Sequence, residues 1–281
     1  MFSYRHGFHA GNHADVLKHL VLVQLLKRMT VKDKALLFVD THAGGGTYAL
    51  DEGFAAKSAE SATGIARLRG GPLRAPALVE YLAEVARFDD GPAPTRYPGS
   101  PQLASQLLRG HDRLRLFEAH TTEIEVLREW AGPPGRRTIV TFGDGFAGLR
   151  SVLPPPSRRA LVLIDPSYED KQDYRRVIET LEDAFRRFAT GTYAVWYPQV
   201  SRRESARLPE QLRAVAPGDW LHASLTVREP DPGGRGLHGS GMFVFNPPWQ
   251  LDVALQPALP ELVTLLGQGP AARFGLESRL T

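Results

Sequence analysis

The sequence contains no cysteine among its 281 residues, and this absence excludes several kinds of chemistry. Without thiols there is no disulfide, no thiolate zinc site and no cysteine-ligated iron–sulfur cluster. A cysteine nucleophile, such as one that adds to C6 of a pyrimidine to activate C5, is excluded as well. The lack of cysteine fits a protein of a reducing compartment.

Long hydrophobic runs are also missing. The longest apolar stretches, residues 20–23 and 160–164 among them, are far shorter than the roughly 18–20 residues that cross a bilayer. The N-terminus lacks the apolar segment of a secretory signal, so we expect a cytoplasmic protein without a membrane span. An apolar fraction of 42% and a charged fraction of 23% favour a folded globular chain over a disordered one.

Lysine is scarce, with six residues against 28 arginines, although the net charge is only 34 − 31 = +3. Arginine binds phosphate through two parallel hydrogen bonds, so a nucleic-acid partner is one interpretation of this bias. An ordinary solvated surface is the other. Arginine doublets recur at residues 136–137, 158–159, 175–176, 186–187 and 202–203.

Short apolar runs alternate with helical patterns, which indicates an α/β fold with a seven-stranded, mostly parallel sheet. The first helix is predicted over residues 14–29, with Asn12 as a candidate cap. Residues 51–98 interrupt the alternation with two helical patterns, and we interpret them as a helical insertion subdomain within a single domain of residues 1–281. The predicted strands span residues 35–40, 114–118, 138–142, 160–165, 192–197, 221–228 and 242–245.

Polar or glycine-rich segments follow three of these strands. Residues 44–46 are three glycines after the first strand, Glu118 ends the second, and Gly143 and Asp144 follow the third. Ligands of open parallel sheets lie beyond the carboxyl ends of the strands. Because Glu118 can accept from ribose hydroxyls and Asp144 from an adenine amino group, the pattern predicts an adenosine site without phosphates.

The fourth strand ends in Asp165-Pro166-Ser167-Tyr168. This tetrapeptide resembles the D/N-P-P-Y/F motif of S-adenosylmethionine-dependent amino methyltransferases. An exocyclic amino nitrogen is a poor nucleophile because its lone pair is delocalised into the ring. Hydrogen bonds to the carboxylate and to a backbone carbonyl favour a more tetrahedral nitrogen, and Tyr168 offers a face on which an extruded base stacks.

Four histidines lie within the first 19 residues, at positions 6, 9, 13 and 19. His6, His9 and His13 invite a metal interpretation, but two glycines between them disfavour a regular helix, and we expect no metal. A loop that closes over the ligand is the alternative interpretation. Lys18 and His19 then contact the carboxylate of the ligand. The residues expected on the acceptor nucleotide are Tyr4, Arg5 and His6.

Taken together, the chain resembles the bacterial 23S ribosomal RNA adenine N6-methyltransferases of the J type over essentially its whole length. The resemblance implies a Rossmann-like class I methyltransferase that uses S-adenosylmethionine and places one methyl group on N6 of an adenine in 23S ribosomal RNA. Two motifs are highly specific, the N-terminal run at residues 4–19 and the stretch at residues 187–198. The others are residues 40–48, 97–101, 165–168 and 246–249.

The resemblance also implies roles for single residues. Asp165 is the expected catalytic residue, and Pro166 and Tyr168 join Tyr4, Arg5 and His6 on the substrate side. The chain departs from the family at Ser167, where a second proline is usual, and we expect activity to survive this change. The residues expected to hold the cofactor are Lys18, His19, His42, Ser100, Glu118, Gly143, Asp144 and Asp165.

Other functions remain open on residue chemistry alone. A DNA adenine or a protein glutamine amide poses the same chemical problem as an RNA adenine. An RNA-binding protein with a decayed site is a further alternative, with Ser167 as its symptom. A nicotinamide dehydrogenase fits poorly, because the pyrophosphate fingerprint is missing. No obligate protein partner is evident, and we expect a monomer.

Overall fold

A computed structural model describes residues 9–50, 60–89, 91, 95–234 and 236–281. Its strands are β1 (Leu37–Asp40), β2 (Thr47–Ala49), β3 (Arg96–Pro98), β4 (Arg113–Glu118), β5 (Thr138–Phe142), β6 (Ala160–Ile164), β7 (Thr192–Gln199), β8 (Trp220–Thr226), β9 (Gly239–Phe245) and β10 (Arg273–Arg279). Its helices are α1 (His13–Met29), α2 (Ile65–Gly70), α3 (Pro76–Phe88), α4 (Ser100–Leu107), α5 (Glu123–Ala131), α6 (Gly145–Val152), α7 (Gln172–Phe188), α8 (Arg203–Val215) and α9 (Leu251–Leu266), with a 3₁₀ turn at Glu60–Thr63.

Within the described ranges, eight strands form one sheet in the order β10-β8-β9-β7-β6-β1-β4-β5. The five strands from β7 to β5 are parallel, whereas β9, β8 and β10 are joined by antiparallel pairing. Strand β1 lies between β4 and β6. The chain therefore adds β4 and β5 on one side of β1 and then β6 and β7 on the other side. Such a point opens a crevice at the carboxyl ends of the strands, and here those ends carry Asp40, Glu118 and Asp165.

Helices cover both faces of the sheet, as expected for parallel strands. Helices α1, α3, α4 and α9 pack on one face, and α6, α7 and α8 pack on the other. Every residue of β1 and β6 is buried, which explains why β6 is a continuous apolar run in the sequence and why β1 is apolar up to its last residue, Asp40. No helix of the described residues is long and apolar enough to span a bilayer.

The predicted count of seven strands in the main sheet is wrong by one. The seven predicted strands are present with shifts of a few residues at their ends, and the strand missed in this sheet is β10 at its edge; the separate two-stranded sheet of β2 and β3 was missed as well. Among the described residues β10 pairs only with β8, and most of its residues are exposed. Because neither face is fully buried, its sequence has no apolar run or clean alternation by which to recognise it.

Helix α1 brings polar groups into the interior. The side chain of Asn12 accepts hydrogen bonds from the backbone N–H groups of Ala14 and Asp15, which confirms the predicted cap. The helix is enclosed by α3, α4, α9 and the sheet. Its first two turns are therefore buried although they include Asp15, Lys18 and His19.

A buried histidine distant from the crevice makes stability depend on pH. His222 of β8 lies 2.8 Å from the hydroxyl of Tyr197, and burial, followed by the nearby charge of Arg213, lowers its pKa from 6.5 to about 4. The unfolded chain thus takes up the proton first as pH falls below 6.5. We expect this residue alone to lower the free energy of unfolding by about 2 kcal/mol between pH 7 and pH 4.5.

Urea unfolding of wild type and His222→Gln at both pH values measures this effect. The glutamine does not titrate. The free energy of unfolding of the variant should therefore fall less than that of wild type when the pH is lowered. An equal loss of stability in the two proteins would show that His222 is not held neutral by the fold.

Candidate active site

A cavity of about 290 Å³ opens at the crevice between β1, β4 and β6. Its walls come from α1, from the loops after these strands and from the first turns of α4 and α6. Carboxylates of Glu118, Asp144 and Asp165 and the ammonium of Lys18 border it. The predicted strand-end acids are therefore brought together around one space.

Glu118 ties the loops after β1 and β4 to each other. One of its carboxylate oxygens accepts from the N–H of Gly44 at 2.8 Å, and the other accepts from the N–H of His120 at 2.7 Å. Burial raises the pKa of this carboxyl, and the backbone donors oppose that rise. Gly44 has φ +61°, and a Cβ atom there would overlap the hydroxyl of Tyr48, so the loop requires glycine at this position.

Asp144 caps α6 and also borders the cavity. It accepts from the N–H of Phe146 at 3.0 Å and forms an ion pair with Arg176. The Arg176 guanidinium lies 4.4 Å from the centroid of the Phe146 ring. The rings of His42 and Phe146 pack in a T-shaped arrangement with their centroids 4.8 Å apart. Burial lowers the pKa of His42 to about 3, so its imidazole is neutral.

Asp40, at the end of β1, is fully buried and holds a residue of the cavity wall. It accepts from the hydroxyl of Ser100 at 2.6 Å and from the N–H of His42 at 3.1 Å. Burial is the main cause that raises its pKa to about 7. Ser100 is thereby fixed at the first turn of α4, facing the cavity.

Lys18 and two carboxylates form a buried ionic cluster beside the cavity. The ammonium lies 2.8 Å from Asp15 and 2.7 Å from Asp165. The three side chains are 4%, 3% and 11% exposed, respectively. Buried charges of this kind persist only when they are paired, so α1 holds the Asp165 carboxylate in place from across the crevice.

A second cavity, of about 610 Å³, lies on the other side of Asp165. The two cavities share Lys18, Asp165 and Ser167 as wall residues. The second cavity is also bordered by aromatic and basic side chains that suit a nucleotide, and by the 3₁₀ turn at Glu60–Thr63. Those side chains are His9, His13, Tyr168, Tyr174, Trp196, Arg202 and Arg228.

Tyr168 fixes the loop after β6. It has φ +55°, is 2% exposed, and donates its hydroxyl to the backbone oxygen of Trp196 at 2.7 Å. Its ring packs against Tyr174 and Trp196 with centroids 4.7 and 6.1 Å apart. Arg202 donates to its backbone oxygen. The predicted stacking residue thus contributes a small part of its surface to the second cavity.

The structure brings together most of the predicted site residues. Pro166 borders the first cavity and Tyr168 the second. Gly143 borders neither, but it donates its N–H to the backbone oxygen of Glu118. The predictions for Tyr4, Arg5 and His6 concern residues outside the described ranges. The predicted residues that border the first cavity are Lys18, His19, His42, Ser100, Glu118, Asp144 and Asp165.

Sequence reasoning missed Asp15, Arg176 and Trp196. The spacing of Asp15 and Lys18, three residues apart on one helix, is a signal that could have found the first of them. Nothing in the sequence relates Arg176 to Asp144, or Trp196 to Lys18, whose ammonium lies 5.9 Å from the centroid of the Trp196 ring. Among the described residues, no three His, Asp or Glu side chains are arranged to hold a metal ion.

The chemistry of the first cavity suits an adenosine that carries an amino-acid tail. Carboxylates at two strand ends match hydroxyl and amino donors, and Lys18 matches a carboxylate. Phosphates fit poorly, because five acidic side chains border the space.

Comparisons with known proteins agree with this chemistry. A family model described as "Ribosomal RNA large subunit methyltransferase D, RlmJ" matches residues 33–274. Two curated proteins named "Ribosomal RNA large subunit methyltransferase J" are similar. The Haemophilus influenzae protein is 41% identical over 271 residues, covering 96% of each chain, and the Escherichia coli protein is 43% identical over 262 residues, covering 93% of each.

The fold also has a close counterpart among solved structures. A crystal structure of a Legionella pneumophila protein has a TM-score of 0.86 and 32% identity, and the match covers 96% of this chain and 98% of that one. The eight-stranded arrangement described above is therefore that of a known α/β fold.

Proposed function

The chain belongs to the RlmJ family of ribosomal RNA large subunit methyltransferases, and from that premise we propose that it transfers a methyl group from S-adenosylmethionine to N6 of an adenine in 23S ribosomal RNA. The observation that carries the proposal is the meeting of two cavities at Asp165. One cavity suits the methyl donor, and the other suits a base extruded from the RNA.

The first cavity is the proposed donor site. Glu118 accepts from the ribose hydroxyls, Asp144 accepts from the adenine amino group, and Lys18 faces the carboxylate. His19, His42 and Ser100 complete the wall, and Gly143 supports the donor site from behind it through its hydrogen bond to the backbone oxygen of Glu118. S-adenosylmethionine supplies an electrophilic methyl group on a sulfonium. The residues around it orient the molecule and exclude water, so that binding energy is used for alignment.

Asp165 is the proposed catalytic residue. Its carboxylate accepts one proton of the target amino group, and the backbone oxygen of Pro166 accepts the other. These bonds make the nitrogen lone pair available in the direction of the donor. The neutral amine is far too weak an acid to lose a proton first. The Asp165 carboxylate therefore takes the proton only after the nitrogen has received the methyl group and become cationic, with S-adenosylhomocysteine as the leaving group. Lys18 keeps the carboxylate oriented throughout.

The second cavity is the proposed acceptor site. Arg202 and Arg228 provide positive charge for the RNA backbone. Trp196 provides aromatic surface, to which the buried Tyr168 adds a small part. Glu60 and Thr63 lie in its wall, which supports a role for residues 51–98 as a helical insertion that shapes substrate access. We assign Tyr4, Arg5, His6 and Pro166 to the substrate side as well.

Replacement of Ser167 by proline tests the departure from the family tetrapeptide. We expect Ser167→Pro to leave kcat and both KM values unchanged, because Lys18 holds Asp165 from α1. Within the described ranges, the Ser167 hydroxyl has one hydrogen-bonding partner, the N–H of Glu169 at a long 3.4 Å. Steady-state kinetics with purified protein measures this. A large loss or gain of turnover would show that residue 167 controls the position of the carboxylate.

Mass-spectrometric mapping of 23S ribosomal RNA from cells with and without the gene tests the function. The proposal predicts one adenine that carries an N6-methyl group only when the gene is present. Radiolabelled methyl counts in RNA, DNA and protein fractions distinguish an RNA adenine from the other acceptors. Label in DNA or protein alone overturns the assignment of the acceptor.

We propose that the enzyme acts as a cytoplasmic monomer, since one chain supplies the described walls of both cavities.

A further inference from the structure

A chain of three buried side chains leads from the donor cavity into the segment between β1 and β4. The Nδ1 atom of His19 lies 2.7 Å from the hydroxyl oxygen of Tyr97, and that oxygen lies 2.7 Å from the hydroxyl oxygen of Tyr81. The three side chains are fully buried. They come from α1, β3 and α3, so the chain crosses three elements.

The two hydrogen bonds that link Tyr81, Tyr97 and His19 have a defined direction from donor to acceptor. Among the residues that the structure describes, the Tyr97 oxygen is the hydrogen-bonding partner of the Tyr81 hydroxyl. If Tyr97 donated to Tyr81, the proton of Tyr81 would be buried without an acceptor, which folded proteins avoid. Tyr81 therefore donates to Tyr97, and Tyr97 donates its own proton to Nδ1 of His19.

The direction of these bonds determines the tautomer of His19. An imidazole that accepts at Nδ1 carries its proton on Nε2. Burial raises the pKa of both tyrosines, so the two hydroxyls keep their protons at any physiological pH. His19 borders the donor cavity beside Lys18 and Ser100. Its second ring nitrogen is thus a hydrogen-bond donor and not an acceptor.

We propose that Tyr81 and Tyr97 are positioning residues that hold His19 as the Nε2–H tautomer, so that it donates to the carboxylate of the methyl donor. The inference rests on the proposed donor site. It gives residues 76–98 a chemical connection to that site, in addition to their packing against α1. Neither tyrosine borders the donor cavity, and both act through His19.

The first test is the tautomer of His19 in the protein without ligand. Nitrogen-15 NMR of the histidine rings, with His19 assigned by the loss of its signals in His19→Gln, distinguishes the two neutral forms. We expect the Nε2–H form in wild type and a shift towards Nδ1–H in Tyr97→Phe. An Nδ1–H form in wild type overturns the proposal, and this test does not depend on the identity of the ligand.

The second test is ligand affinity by calorimetry. Tyr97→Phe should bind S-adenosylhomocysteine about tenfold more weakly than wild type, and Tyr81→Phe should lie between the two. Methylthioadenosine, which lacks the amino-acid carboxylate, should bind equally well to all three. Tyr193→Phe is the matched control, because its buried hydroxyl bonds to Phe188 on the opposite face of the sheet.

Kinetics should show the same division, with a raised KM for the methyl donor and an unchanged kcat in Tyr97→Phe. Wild-type affinity in Tyr97→Phe, or an equal loss for both ligands, overturns the proposal. Failure of wild type to bind S-adenosylhomocysteine overturns the proposed donor site instead, and the tautomer measurement keeps the two failures distinct.

Discussion

Asp165→Asn lowers the rate of methyl transfer by about a hundredfold to a thousandfold and leaves the affinity for S-adenosylhomocysteine nearly intact. The amide keeps the volume of the carboxylate, but it replaces one acceptor oxygen with a donor, which repels the target amino group. Preorganised polar groups of this kind typically contribute two to three orders of magnitude to a rate. Single-turnover kinetics with 23S ribosomal RNA and calorimetry with the ligand measure the two quantities separately.

Asp170→Asn is the matched control for that variant. Asp170 follows in the same loop, is exposed, and accepts from the N–H of Gln172, the first residue of α7. The side-chain oxygen of asparagine can accept the same hydrogen bond, so this variant should turn over like wild type. A rate of Asp165→Asn close to that of the control means that the carboxylate does not take part in the reaction.

We expect Glu118→Ala to have the opposite effect, a large loss of affinity for the methyl donor and a smaller loss of rate. It removes the acceptor for two ribose hydroxyls and also the two hydrogen bonds that hold the N–H groups of Gly44 and His120. Hydrogen bonds to a charged group contribute about 1.5–3 kcal/mol each. We therefore expect the affinity for S-adenosylhomocysteine to fall by about a hundredfold, with the rate partly recovered at saturating donor concentration.

Glu125→Ala provides the control for the second variant. Glu125 lies on α5, close in sequence, but its side chain is 69% exposed and pairs with Arg128. Calorimetry of the two variants side by side separates a loss of the ribose acceptor from a general effect of removing a carboxylate. Wild-type affinity in Glu118→Ala contradicts the proposed position of the donor.

The two large effects depend on different parts of one geometry. Asp165 borders both cavities, whereas Glu118 borders only the first. A loss of turnover without a loss of affinity in one variant, and the reverse in the other, follows directly from that arrangement. If both variants lost both properties equally, the separation of donor and acceptor sites would be wrong.

Local patterns predicted the strands that are buried on both faces, because such strands are continuous apolar runs. Strand β6 is an example, with all of its residues buried. The cap of α1 was also predictable, since an asparagine before an apolar periodic segment is a local signal. Strand β10 was not, because an exposed edge strand is defined by its partner β8 and not by its own composition.

The sequence predicts individual residues of the site, but it does not predict how they pair with each other. Glu118, Asp144 and Asp165 each follow a predicted strand, and parallel strands place such residues at one edge. The pairing of Lys18 with Asp165 joins residues 147 positions apart. No local sequence pattern predicts that two residues so far apart in the chain will form an ion pair. The pair follows from the packing of α1 on the sheet, which the sequence pattern does not reveal.

A crystal structure of the enzyme with S-adenosylhomocysteine tests the central claim most directly. The account predicts the ligand in the cavity between β1, β4 and β6, with its adenine towards Asp144, its ribose on Glu118 and its sulfur facing the Asp165 carboxylate. A ligand bound elsewhere, or one whose sulfur is separated from Asp165 by the protein backbone, would contradict it.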